Sequence, residues 1–179
     1  HEQAIVMSNM ADKRTNNKTI VDLANRIDAS QEDEINFMKN WLNSRDEDIS
    51  VKHGDHHMHI GMAGMASENQ LKELEESEST DFDKLFLQLM ISHHDGALKM
   101  VKDLKEFPGT AYDPILNEFV SDLVNDQSVE IERMNAIAVG LSDDPRSKLS
   151  PGHYDAGEAI LNLEKVASLK KPIGFYNPN

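Results

Sequence analysis

Four histidines (His53, His56, His57, His59) and three methionines (Met58, Met62, Met65) fall between positions 53 and 65 of the chain. Imidazole nitrogen suits copper, zinc, nickel and iron, whereas thioether sulfur is a soft donor suited chiefly to Cu(I). Histidine alone would leave Zn(II), Ni(II) and Cu(II) equally open. Interleaving the two ligand types tilts the choice to copper, or to Ag(I) as its chemical mimic. A thioether is neutral, so it binds without releasing a proton and works in acidic or oxidising surroundings where thiols fail. Gly54, Gly61 and Gly64 make the segment a loop, in which methionine has no core to fill. The bland alternative is a polar loop with incidental methionines.

A second set lies on one helix. Met90, His93, His94 and Met100, with Ala97 among them, share roughly one side over three turns. Met134 is offered by the facing helix. Gln127 interrupts that helix's apolar stripe, as Gln31 does earlier in the chain, and a buried glutamine needs hydrogen-bond partners. A histidine ring from the facing helix would serve, and its other nitrogen would then be fixed for a metal. The competing reading makes these methionines core filler and His93 a satisfied core histidine. A third set, His1, Met7, Met10 and Met38, repeats the pattern without counterparts of Met90 and His93. His153 stands alone and is read as structural or exposed.

The elements that must carry these residues are helical throughout. Phe82, Phe86, Leu89, His93, Ala97, Met100 and Leu104 recur in steps of three and four, as do Leu116, Val120, Leu123, Gln127, Ile131 and Met134. Pro108 and Gly109 end the first of these helices, and Asp113 with Pro114 opens the next. The resulting αα-hairpin occurs twice. The stretch from His94 to Met100 matches that from His1 to Met7, 93 positions earlier, and Gln127 to Met134 matches Gln31 to Met38, 96 positions earlier. Residues equivalent to Phe82 through His93 would precede His1, so the first helix of the first copy is expected to be short. Ser67 and Gln70 form a capping box for a short helix to about Glu76.

The expected fold is therefore all-α: a ferritin-like four-helix bundle made from two duplicated αα-hairpins, plus a C-terminal helix and tail. The divisions are residues 1–43 (first hairpin, shortened), 44–80 (His/Met-rich loop and short helix), 81–141 (second hairpin) and 142–179, with the last helix over about 155–169.

Thirty-two acidic against eighteen basic residues give a formal charge of −14. That field repels nucleic acid and anionic lipid headgroups, so neither is an expected partner. There is no cysteine, which excludes disulfides and thiolate metal sites. No apolar run reaches the length of a membrane span. The chain opens at His1 rather than at a methionine with a leader, and is expected to be a processed or trimmed product.

Three motifs, the stretch from Phe86 to Met100, the repeated Gln-x-x-Glu-Ile-x-x-Met, and Gly61 to Ser67 between the copies, resemble the CopM-type periplasmic copper-binding proteins. This is a bacterial family long filed as a domain of unknown function and described as ferritin-like. The likeness covers residues 1–141. It implies a periplasmic or secreted protein that is not an enzyme, binds Cu(I), with Cu(II) or Ag(I) as alternatives, and contributes to copper tolerance. The partners implied are copper ions and components of copper sensing or efflux. Family members usually carry the His-His doublet in the first copy also, where only His1 stands here. Three alternatives remain: a Zn/Ni buffer using the loop histidines, a ferritin-like di-metal oxidase, and a bundle without metal that acts as an interaction or stress protein. The oxidase class uses Glu-x-x-His pairs, and no histidine here has glutamate three residues before it.

Overall fold

The computed structural model describes residues 1–47, 62–109, 112–152, 156–160 and 162–167. Those residues contain helices and no strand: α1 (Glu2–Ser8), α2 (Ala11–Arg14), α3 (Lys18–Asn43), α4 (Glu68–Glu76), α5 (Ser79–Glu106) and α6 (Pro114–Leu141), then a 3-10 turn, Pro145–Lys148. They group into two compact units, residues 1–141 and 142–179.

The helix ends follow from local chemistry. Asn17 caps α3, its side chain accepting from the Thr19 amide. Asp113, 96 positions later, accepts from the Leu116 amide at 3.0 Å and starts α6 in the same way. Ser67 and Gln70 form the reciprocal capping box that opens α4. Beyond α5, Gly109 takes φ +95°, a left-handed turn that glycine adopts without strain.

Within residues 1–141 the two hairpins are α1–α2 on α3 and α5 on α6, with α1 also against α5 and α4 beside it. The hairpins meet where Phe37 of α3 stacks on Phe119 of α6 at 4.1 Å between ring centres. At the far end Asn17 donates to the Asp83 carboxylate of α5 at 2.8 Å. Phe82 and Phe86 of α5 belong to one core with Ile20, Leu23, Ala24 and Ile27 of α3, and all are fully or nearly fully buried. The duplicate positions in α6, Leu116, Val120 and Leu123, instead border an apolar groove of about 410 Å³. The duplicated four-helix arrangement read from the repeats is thus the observed one.

The C-terminal helix is not. Residues 156–160 and 162–167 are not helical. Asn162 sits at φ +58°, and Leu163 and Val166 are 81% and 94% exposed. Helix propensity alone does not sustain a helix of this length.

The Phe82–Phe86 pair, 5.7 Å between ring centres, should dominate stability. Phe86→Ala is expected to cost about 3–5 kcal/mol, read as a lower urea midpoint. A loss below about 1 kcal/mol would contradict this packing.

Candidate functional site

The site begins with a polar pair that occurs twice. Nδ1 of His1, at the start of α1, lies 2.5 Å from Gln31 Oε1 and 2.9 Å from Glu34 Oε2 on α3. In the second copy, Nε2 of His94 on α5 lies 2.7 Å from Glu130 Oε2 on α6. His94 also uses Nδ1 toward the Met90 carbonyl at 2.9 Å. Gln127 joins the copies by donating to Glu34 Oε2 at 3.2 Å. The expectation that Gln127 serves a histidine ring is therefore corrected: Glu130 holds His94, and the glutamine reaches the other hairpin. Only in the first copy does the glutamine, Gln31, meet a histidine.

The two histidines differ in what they leave available. Glu34 and Gln31 both accept at His1 Nδ1, so that nitrogen carries the proton and Nε2 keeps a lone pair. This is the carboxylate–histidine arrangement that supports metal ligands elsewhere. Burial pushes the His1 pKa down, but the hydrogen bond and charge of Glu34, with Gln31, outweigh it and hold it above 6.5. In His94 both nitrogens are engaged. His93 is 6% exposed, and its Nδ1 is buried without a partner among the described residues. Burial, with the His94 and His1 charges adding, lowers its pKa to about 4.

A turn brings further donors. Met65 N donates to Met62 O at 3.3 Å, and Gly64 inside the turn takes φ +78°. Its backbone lies directly on α5: a Cβ on Gly64 would stand 2.2 Å from the Ser92 carbonyl oxygen, and one on Gly96 would stand 2.0 Å from that of Ala63. Gln3 of α1 fastens the other side, donating to Ala66 O at 2.9 Å and accepting from Ala66 N at 2.7 Å.

These elements enclose a cavity of about 730 Å³ whose lining includes His1, His93, Met38, Met62, Met65 and Met100, together with Glu2 and Lys39. Met62 and Met100 are 39% and 49% exposed, whereas Met7, Met90 and Met134 are fully buried in the apolar core. Met10 packs against that core. The structure thus brings together six of the sequence-derived donors and places Met7, Met90, Met134 and His94 elsewhere. His53, His56, His57, Met58, His59 and His153 lie outside the described residues. Among the described residues no three His, Cys, Asp or Glu side chains form a metal-holding group. The cavity's lining offers two imidazoles and four thioethers, with the Glu2 carboxylate beside them.

Sequence reasoning missed Glu34, Glu130, Gln3 and Gly96. The glutamates had a signal: each stands three residues after a stripe glutamine, in both copies. Gln3 and Gly96 act through a backbone partner distant in sequence, which no local pattern reveals.

The fold and this doubled histidine–glutamate core define an all-α, ferritin-like helical protein. Residues 1–138 match the model of the domain of unknown function DUF305, and the chain belongs to that family. It is similar to the crystal structure of a DUF305 protein of Streptomyces coelicolor described as a candidate secreted protein, at 27% identity and TM-score 0.67, over 79% of this chain and 86% of that one. A DUF305 fragment from Deinococcus radiodurans is similar at 27% identity and TM-score 0.66, over 77% and 87%. No curated protein matches. None of the described helices is long and apolar enough to cross a membrane.

His93 predicts an acid dependence in the metal-free chain. Its folded pKa of about 4 lies below the unfolded 6.5, so the unfolded state binds more protons between these values. The contribution is complete above pH 6.5 and is lost as the pH falls toward 4, by about 2–3 kcal/mol in all. His1 has the opposite sign, contributing below 6.5 and losing it as the pH rises through its raised value. In urea unfolding between pH 7 and 4.5, His93→Gln should flatten the acid slope. A slope equal to the parent's would show that the buried ring is not its source.

Proposed function

We propose that this DUF305 chain is a periplasmic or secreted copper-binding protein of the CopM type. It holds Cu(I), or Ag(I) in its place, on methionine and histidine ligands and contributes to copper tolerance or buffering rather than catalysing a reaction. The observation that carries this reading is the convergence of His1, His93, Met38, Met62, Met65 and Met100 on one cavity from four segments of the chain.

The donor chemistry fits a soft monovalent ion. Thioether and neutral imidazole add no charge to the site, and thioether sulfur favours Cu(I) over Zn(II). His1 presents Nε2 with a carboxylate behind Nδ1, and His93 has a buried nitrogen without a protein partner among the described residues. Both kinds of nitrogen are suited to ligation. Glu34 and Glu130, which a di-metal oxidase would turn toward its ions, are directed at histidines instead. The half-exposed Met100 and Met62 fill no core, in contrast with the buried Met7, Met90 and Met134. The formal charge of −14 raises the local concentration of cations around the molecule.

In this reading His53, His56, His57, Met58 and His59 add further capacity, which Cu(II) or Zn(II) could share at the histidines. The partners are copper ions and components of copper sensing or efflux. The secreted description of the Streptomyces coelicolor relative supports an envelope or extracellular location.

Anaerobic titration with Cu(I), against Zn(II), gives the ions bound per chain. Met38→Leu, Met100→Leu and Met134→Leu conserve volume, so each should change metal-free stability by less than about 1.5 kcal/mol. Cu(I) should raise the thermal midpoint less in the Met38 and Met100 variants than in the parent, because a ligand specific to the native state stabilises in step with its affinity. The Met134 variant should keep the full shift. Equal shifts in all three would sink the cavity as the site. Replacing His53, His56, His57 and His59 with alanine should lower the number of ions bound and leave the helical circular dichroism unchanged.

A further inference from the structure

Gln3 and Gly96 stand out because each makes a close, specific contact without offering a donor suited to a soft cation. We infer that these two residues set the cavity's preference for a soft cation by holding the Met62–Met65 turn over it. This deepens the copper reading and rests on it.

The turn supplies two of the cavity's four thioethers. Without it, the remaining donors would be two imidazoles, two thioethers and the Glu2 carboxylate, a set in which nitrogen and oxygen outweigh sulfur. Four thioethers shift the balance toward Cu(I), for which sulfur is the better partner, while Zn(II) gains little from a neutral thioether.

The attachment is made at two points, on the two helices that carry the cavity's imidazoles. On α1, Gln3 gives Ala66 a donor and an acceptor together, at 2.9 and 2.7 Å, two positions from His1. On α5, the Gly64 backbone rests on Gly96, three positions from His93, with no room for a Cβ on either residue. The turn closes through Met65 N to Met62 O, and α4 begins immediately after it at a full capping box. A turn tied at both sides has its thioethers in place before the ion arrives, so binding does not carry the entropic cost of ordering a loop. Neither tie touches the ion, so Gln3 and Gly96 are positioning residues.

Gly96→Ala keeps α5 helical, since alanine is the better helix former, but its Cβ cannot coexist with the Ala63 carbonyl where it lies. Gln3→Leu removes both bonds to Ala66. Gly140→Ala, at a glycine with nothing within 4 Å, is the control for a glycine change in a helix. Affinities for Cu(I) and for Zn(II) are measured anaerobically by competition on the full chain, and X-ray absorption counts sulfur neighbours of bound Cu(I). Gln3→Leu and Gly96→Ala are expected to weaken Cu(I) by about tenfold or more with fewer sulfur neighbours. Zn(II) affinity should stay within about twofold of the parent's. Gly140→Ala should match the parent in all three. A merely structural role would weaken both metals together and leave the sulfur count unchanged; that result overturns the inference. So does a parent-like Cu(I) affinity and sulfur count in Gln3→Leu, the variant that carries the test if Gly96→Ala loses its helical circular dichroism. A parent chain that does not bind Cu(I) overturns the functional reading itself, and this inference with it.

Discussion

The bundle is organised around a carboxylate that faces a histidine one helix away, used twice. His1 meets Glu34 and His94 meets Glu130, with Gln127 crossing from one hairpin to the other. A buried polar group without a partner is costly, so the pairs tolerate one register of the facing helices and penalise a slip of either. Apolar packing around Phe82 and Phe86 gives cohesion without direction. The polar pairs supply the direction, and every functional side chain is placed relative to them.

One consequence is a division of labour among chemically similar residues. A histidine with both nitrogens engaged, such as His94, is a structural crosslink. A histidine with one nitrogen backed by carboxylate, such as His1, keeps a lone pair on the other. Methionine divides as well, between residues that fill irregular space in the core and residues that face an opening. Burial separates the two uses: Met7, Met90 and Met134 have no exposed surface, whereas Met62 and Met100 are well exposed at the cavity.

This explains how much the sequence disclosed. Helix periodicity, caps and the internal repeat sufficed for the four-helix arrangement, because each is written in local spacing. The Ser67–Gln70 box and the Asp113 cap appear as read. Spacing also placed Met90, His93, His94 and Met100 on one side of α5, but a helix face is wide enough to touch both core and cavity. Which residue goes where depends on the neighbouring helix, and so Met90 and His94 went inward. The C-terminal segment had helical spacing, and spacing alone does not make a helix. Gln3 and Gly96 were illegible for a third reason: their partners are backbone groups of a distant turn.

The repeat relation carries the argument one step further. His1, Met38 and Met100 correspond to His94, Met134 and Met7, each pair separated by the 93 or 96 positions of the duplication. The first three line the cavity, and the second three are all completely buried. Two equivalent places in the bundle therefore hold the same side-chain types in opposite states, one closed and one open. The closed place lies within the core built around Phe86 and Met90 in the first half of α5. The open place is bordered by the start of α1 and by the Met62–Met65 turn, which brings two more thioethers. The duplication thus does not yield two copies of one site. Closing one half commits its histidine and methionines to the fold, while the equivalent set in the other half lines the cavity.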